Sequence, residues 1–87
     1  MKQLELIDLG TTYTVIYATE NKYEDKEFKD TLLLDLYLKR KGVSEETLQE
    51  MSNNLCTLDM EEKDGIILKT KEITVRKKSN TEIGYYI

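Results

Sequence analysis

Residues 30 to 62 carry the clearest helix-capping chemistry in this chain, and β-rich runs lie on both sides of them. That arrangement constrains the fold more than any other feature, because a strand-forming start and a strand-forming end must be reconciled around a helical middle. Asp30 is suited to N-cap a helix that runs through Arg40, and Gly42 to end it in the left-handed conformation. Phe28, Leu32 and Leu36 recur every four residues, with Leu33 and Tyr37 widening the stripe expected to face the core. Lys39, Arg40 and Lys41 suit the negative end of the helix dipole. Ser44 then opens a second helix with Glu45 and Glu46 in its first turn, Val43 placed to staple onto Leu48, and Leu48, Met51 and Leu55 as its apolar stripe. Its end is open between a stop near Asn53-Asn54, leaving 57–62 as a short strand, and a run through Leu58.

Before this block, residues 2 to 19 form two β-rich runs around Gly10-Thr11, a pair suited to a two-residue hairpin because Gly takes the positive φ its first position needs. That register sets Leu6 opposite Val15 and Leu4 opposite Tyr17. Residues 20 to 30 have no clean period and read as a solvated connection. After an Asp64-Gly65 turn, Ile66 and Leu68 lie on one parity while Ile73 and Val75 lie on the other, which requires a bulge or break near Thr70-Lys71. Ser79-Asn80 is expected to close a last hairpin to residues 81–87. The reading is a single α+β domain over residues 1–87. It has an antiparallel sheet of four to five strands in the order β-β-α-α-β-β-β, with the two helices packed on one face.

Composition narrows the function classes. The 87 residues leave room for one small core. A formal net charge of −4 argues against a surface built as a whole to attract nucleic acid. There is no histidine, which removes the commonest general base and imidazole metal ligation. Cys56 is the only cysteine, so no disulfide within the chain and no multi-cysteine zinc cluster can form. The expectation is a non-catalytic protein with no cofactor and no metal. The start of the chain has no apolar signal-like region, and apolar runs such as Leu32-Leu33-Leu34 and Val15-Ile16-Tyr17-Ala18 reach no more than four residues, so a cytoplasmic protein without a membrane partner is expected.

Asp8-Leu9-Gly10-Thr11-Thr12-Tyr13 resembles the first phosphate loop of the actin and heat-shock-chaperone ATPase superfamily, in which a strand enters a tight Gly-Thr-Thr turn after an aspartate. The resemblance implies nucleotide phosphate binding by the 8–12 turn, with Asp8 orienting a metal's water shell. It covers about a tenth of the chain. The second, Asp-x-Gly-Gly loop of that superfamily has no counterpart, since no Gly-Gly pair occurs.

Two oppositely charged segments stand out as candidate binding surfaces. Residues 43 to 65 hold seven acids, Glu45, Glu46, Glu50, Asp59, Glu61, Glu62 and Asp64, against one lysine. They suit a basic patch on another protein, in the sharpest form as a mimic of a phosphate backbone toward a nucleic-acid enzyme. Residues 66 to 78 hold Lys69, Lys71, Arg76, Lys77 and Lys78 against Glu72, and with Tyr85 and Tyr86 on the next strand they suit phosphates and bases. Tyr23, alone among charges, is an exposed anchor. Cys56 beside Leu55 reads as a small buried hydrophobe. The expected partner is another protein, with nucleic acid as the alternative and a homodimer through strand edges left open. The Lys-, Glu-, Asn-, Ile- and Tyr-rich composition without proline is similar to short reading frames of low-GC bacteria and their phages, which implies a modulator or inhibitor of host or defence machinery.

Overall fold

The two ends of the chain pair with each other in the middle of a sheet. The computed structural model describes residues 3–86, with side chains described for residues 10–79. Strand β1 (Gln3–Ala18) turns into β2 (Tyr23–Phe28), helices α1 (Thr31–Arg40) and α2 (Glu45–Glu61) follow, and β3 (Gly65–Lys69) and β4 (Ile73–Tyr86) close the chain. The sheet order is β2-β1-β4-β3, with every neighbouring pair antiparallel. It is an α+β fold in the order β-β-α-α-β-β, one strand fewer at the C-terminal end than the seven-element reading.

The Gly10-Thr11 hairpin is not formed. β1 runs straight through it, and Leu6 pairs with Ile83 and Val15 with Val75. A long ladder between the chain ends outweighs a short local one, because it recruits the whole length of β4. Gly10 keeps the positive φ expected of it, 89°, but spends it on a bulge where the register shifts between Asp8 and Thr11. The hairpin expected at Ser79-Asn80 is likewise absent, β4 being continuous to Tyr86.

Residues 20 to 30 are not only a connection. They contain edge strand β2, paired through Tyr13↔Phe28 to Ala18↔Tyr23. Thr19 builds the turn before it, its Oγ1 accepting from the backbone N–H groups of Asn21 and Lys22. The break near Thr70-Lys71 is real: the β3–β4 turn lies there, held by the Ile73 N–H donating to Thr70 Oγ1 at 3.0 Å. A bulge between Ile66 and Leu68 then allows Ile67 and Leu68, neighbours in sequence, both to be buried.

Both helices cover one face of the sheet. Asp30 caps α1 by accepting from Leu32 N–H at 2.8 Å, and Ser44 caps α2 by accepting from Thr47 N–H at 3.2 Å. Gly42, at φ 88°, makes the turn between them. The core joins Leu34 and Leu38 of α1, and Leu48 and Met51 of α2, to Tyr13, Val15, Ile67, Leu68, Ile73 and Val75 of the sheet. The inward stripe of α1 is therefore not Leu32, Leu33 and Leu36, which are 71%, 56% and 56% exposed. Apolar residues occupy nearly every direction around this helix, so periodicity alone does not choose its roll. The Phe28–Tyr37 ring contact at 5.3 Å and the Asp30 cap do. α2 continues through Leu58 to Glu61, and Glu62 ends it in the left-handed conformation at φ 54°.

Candidate functional site

The acidic residues fall on α2 and the turn after it, where they divide into two groups. Between Glu45 and Glu61 the helix carries Glu45, Glu46, Glu50, Asp59 and Glu61 and no basic residue. Glu46 and Glu50, one turn apart, are both exposed. Asp59 and Asp64 hold the fold together instead. Asp59 Oδ1 lies 2.8 Å from Lys77 Nζ, and Asp64 Oδ1 accepts from Ser79 N–H at 2.9 Å. That backbone hydrogen bond is the main reason the Asp64 carboxyl is held below its ordinary value. Glu45 and Glu61 make loose surface pairs with Lys39 at 3.9 Å and Lys63 at 3.6 Å, and Glu62 is exposed at the helix end.

Between the two helices runs an open groove of about 470 Å³. Leu34, Met51 and Leu55 supply its apolar lining, Cys56 and Met60 line it from α2, and Asp35 and Asp59 add negative charge from opposite sides. Met60 is 81% exposed. Cys56 is exposed as well, not buried, because the α2 residues that face the sheet are Leu48, Met51, Leu55 and Leu58, and Cys56 lies one position round the helix from them. Nearer the α1–α2 turn a separate, smaller recess of about 220 Å³ is lined by Asp35, Lys39 and Glu45, where the Lys39–Glu45 pair sits. Leu32, Leu33 and Leu36 are exposed on the outer side of α1 and do not line the groove.

The basic segment is split by strand alternation. Lys69, Arg76 and Lys78 are exposed on the sheet face opposite the helices, and Lys71 is exposed in the β3–β4 turn. Lys77 points to the helix side. Its side chain is only 4% exposed, and besides its pair with Asp59 it donates to the Lys63 carbonyl at 3.0 Å. Tyr23 is 67% exposed and shares the open face with Asp25 and Glu27 of β2. Tyr86 pairs with Gln3 at the far end of β4, and the side chains of Tyr85 and Tyr86 lie outside those described.

A second polar cluster carried no recognisable motif. Glu24 Oε2 accepts from the Tyr37 hydroxyl at 2.7 Å and lies 2.8 Å from Lys41 Nζ, while that ammonium stands 4.5 Å from the centre of the Tyr17 ring. Burial first, and the Glu24 hydrogen bond second, push the Tyr37 hydroxyl up to about 12. The Lys41 and Tyr37 hydrogen bonds hold the Glu24 carboxyl below its ordinary value. These groups fasten the end of α1 to the edge strand.

Among the described residues no group of three or more Cys, Asp or Glu side chains is arranged to hold a metal ion. The 8–12 stretch is a bulged strand rather than a turn, so its backbone N–H groups do not form the loop that the ATPase resemblance implies. No helix is long and apolar enough to cross a membrane among the described residues. Searches of protein-family models, curated proteins and solved structures return no significant match to this chain.

Proposed function

We propose that this chain is a non-catalytic protein-binding module whose docking surface is the groove between α1 and α2. The observation that carries the reading is the union of exposed apolar side chains with one sign of charge. Cys56 and Met60 are left in water along the groove with Asp35 and Asp59 beside them, and α2 bears five acids and no base. Apolar residues left uncovered together mark a surface that gains by association. The acids select a cationic partner and speed its approach. The fitting ligand is a basic amphipathic segment, laying aliphatic side chains on Leu55, Cys56 and Met60 and setting Lys or Arg against Asp35 and the half-exposed Asp59. A nucleic-acid enzyme, whose substrate channel is basic, presents such a surface, and blocking it makes this chain an inhibitor or modulator. The phage-like composition supports that sharper form.

The test is parallel affinity capture from the native host using the wild-type chain, the groove variant Cys56→Glu/Met60→Glu, and the open-face variant Arg76→Glu, compared by quantitative mass spectrometry after nuclease treatment. A protein retained by wild type and Arg76→Glu but lost by the groove variant is the expected result. Equal recovery with all three chains removes the groove from the interaction. Recovery that disappears with nuclease or with Arg76→Glu supports instead the alternative in which Lys69, Arg76 and Lys78 bind nucleic acid.

A further inference from the structure

The sheet face turned away from the helices has a charge pattern complementary to itself. Strand register places two rows straight across all four strands: Asp25–Ile16–Thr74–Lys69 and Glu27–Thr14–Arg76–Ile66. One edge of the face is acidic, through Asp25 and Glu27 of β2. The other side is basic, through Arg76 and Lys78 of β4 and Lys69 of β3. Between them lie Thr14, Thr74 and two isoleucines, Ile16 at 37% and Ile66 at 44% exposed. The charged side chains of both rows are exposed, so no described part of the chain covers them.

We infer that this face binds the same face of a second copy, forming a two-fold symmetric dimer with the sheets packed back to back. A two-fold axis parallel to the strands turns one sheet over and reverses the strand order while preserving position along the strands. Asp25 of each copy then lies over Lys69 of the other, Ile16 lies over Thr74, and Glu27 falls one strand away from Arg76, within reach of a long side chain across sheets ~10 Å apart. Each favourable contact occurs twice, as symmetry requires of such an interface. The alternative two-fold axis, perpendicular to the strands in the plane between the sheets, sets β2 over β2 and opposes like charges. The inference concerns a surface separate from the groove, so either can fail without the other.

The footprint is modest. Four strands about 4.8 Å apart and five residues long cover roughly 300 to 350 Å² of flat sheet per copy. That is small beside a standard stable interface, and the dimer is therefore expected to dissociate in the micromolar range and to weaken with salt.

Sedimentation velocity across a concentration series provides the test, on four samples: wild type, Asp25→Lys/Glu27→Lys, Lys69→Glu/Arg76→Glu, and an equimolar mixture of the two variants. The wild type is expected to pass from monomer to dimer over the micromolar range. Each variant alone opposes like charges across the interface and is expected to be at least tenfold weaker. In the mixture, the lysine introduced at position 25 of one variant meets the glutamate introduced at position 69 of the other. The unchanged Asp25 and Lys69 of the same two chains meet on the other side of the axis, so the dimer is expected to return. The milder variants Asp25→Asn and Lys69→Gln carry the same prediction with smaller loss, should a double reversal fail to fold. A wild-type chain that stays monomeric to several hundred micromolar overturns the inference. So do single variants that dimerise as tightly as wild type, two folded variants that remain monomeric when mixed, and a wild-type monomer that binds single-stranded DNA through Arg76 while never dimerising.

Discussion

Lys77 Nζ lies 2.8 Å from Asp59 Oδ1, and the two side chains differ sharply in exposure, 4% for the lysine and 57% for the aspartate. This charge contact thus joins a buried cation on the central strand β4 to a half-exposed anion near the end of α2. It takes one lysine out of the basic segment and one acid out of the acidic segment.

The inequality predicts which partner is more costly to remove. Asp59→Ala strands an ammonium that water hardly reaches, leaving it only the Lys63 carbonyl, and is expected to destabilise the fold by about 2 to 3 kcal/mol. Lys77→Met keeps the apolar stem, leaves a carboxylate that water can reach, and is expected to cost no more than about 1 kcal/mol. Urea unfolding of both single variants and the double variant measures this. Equal losses, or the larger loss at Lys77, contradict the assignment.

The Glu24 and Asp64 carboxyls are held below their ordinary values of 4.5 and 3.8, so the folded chain binds protons less readily than the unfolded one. Their contribution is fully present above those ordinary values and is lost as pH falls through the lowered ones. Tyr37 has the opposite sign. With its hydroxyl raised from 10 to about 12, its contribution is complete below pH 10 and disappears as pH rises toward 12. Denaturation midpoints from pH 2 to 12 are expected to fall at both ends, and Glu24→Gln to flatten the acid limb. In that variant, tyrosine absorbance titration is expected to show the Tyr37 hydroxyl ionising at lower pH but still above 10, since burial is the larger cause. An unchanged acid limb rules out the Glu24 linkage.

The roll of α1 was the part of the helical layer least legible in the sequence. The sequence reading put Leu32, Leu33 and Leu36 on the inward stripe where the fold puts Leu34 and Leu38, and the deciding contacts come from β2, a strand whose inward positions hold Glu24, Lys26 and Phe28 rather than a run of apolar residues. Edge strands of this kind lack the alternation that reveals a half-buried strand. The helix caps at Asp30, Ser44 and Gly42 were legible because capping chemistry is local. The pairing of β1 with β4 was not, since Gly10 has the same positive φ in a bulge as in a hairpin. The acidic surface was visible as a charge run, while the groove beside it depends on the helix roll and was not.

That roll is open to a direct check. Leu34→Ala removes a side chain with no exposed surface and is expected to cost about 2 to 4 kcal/mol, whereas Leu33→Ala is expected to stay within about 0.5 kcal/mol. Thermal or urea unfolding of the pair decides it. A reversed order contradicts the packing described.

Gly10 provides a further prediction. A Cβ added there meets nothing within 4 Å, so the cost of Gly10→Ala is conformational alone, about 1 to 2 kcal/mol for holding φ at +89°. Because the 8–12 stretch is a bulged strand, the midpoint shift of this variant is expected to be the same with and without millimolar Mg-ATP. Stabilisation of the wild type by Mg-ATP that Asp8→Ala abolishes speaks for the phosphate-loop reading instead.

The central claim is that a partner occupies the groove between α1 and α2, and the chain carries its own probe there. Cys56 is the only thiol, is exposed, and lines the groove. Its rate of alkylation by N-ethylmaleimide, followed by intact mass in the free protein and in the purified complex with the captured partner, reports groove occupancy directly. A rate at least tenfold slower in the complex is the predicted result, and an unchanged rate in a fully formed complex contradicts the claim.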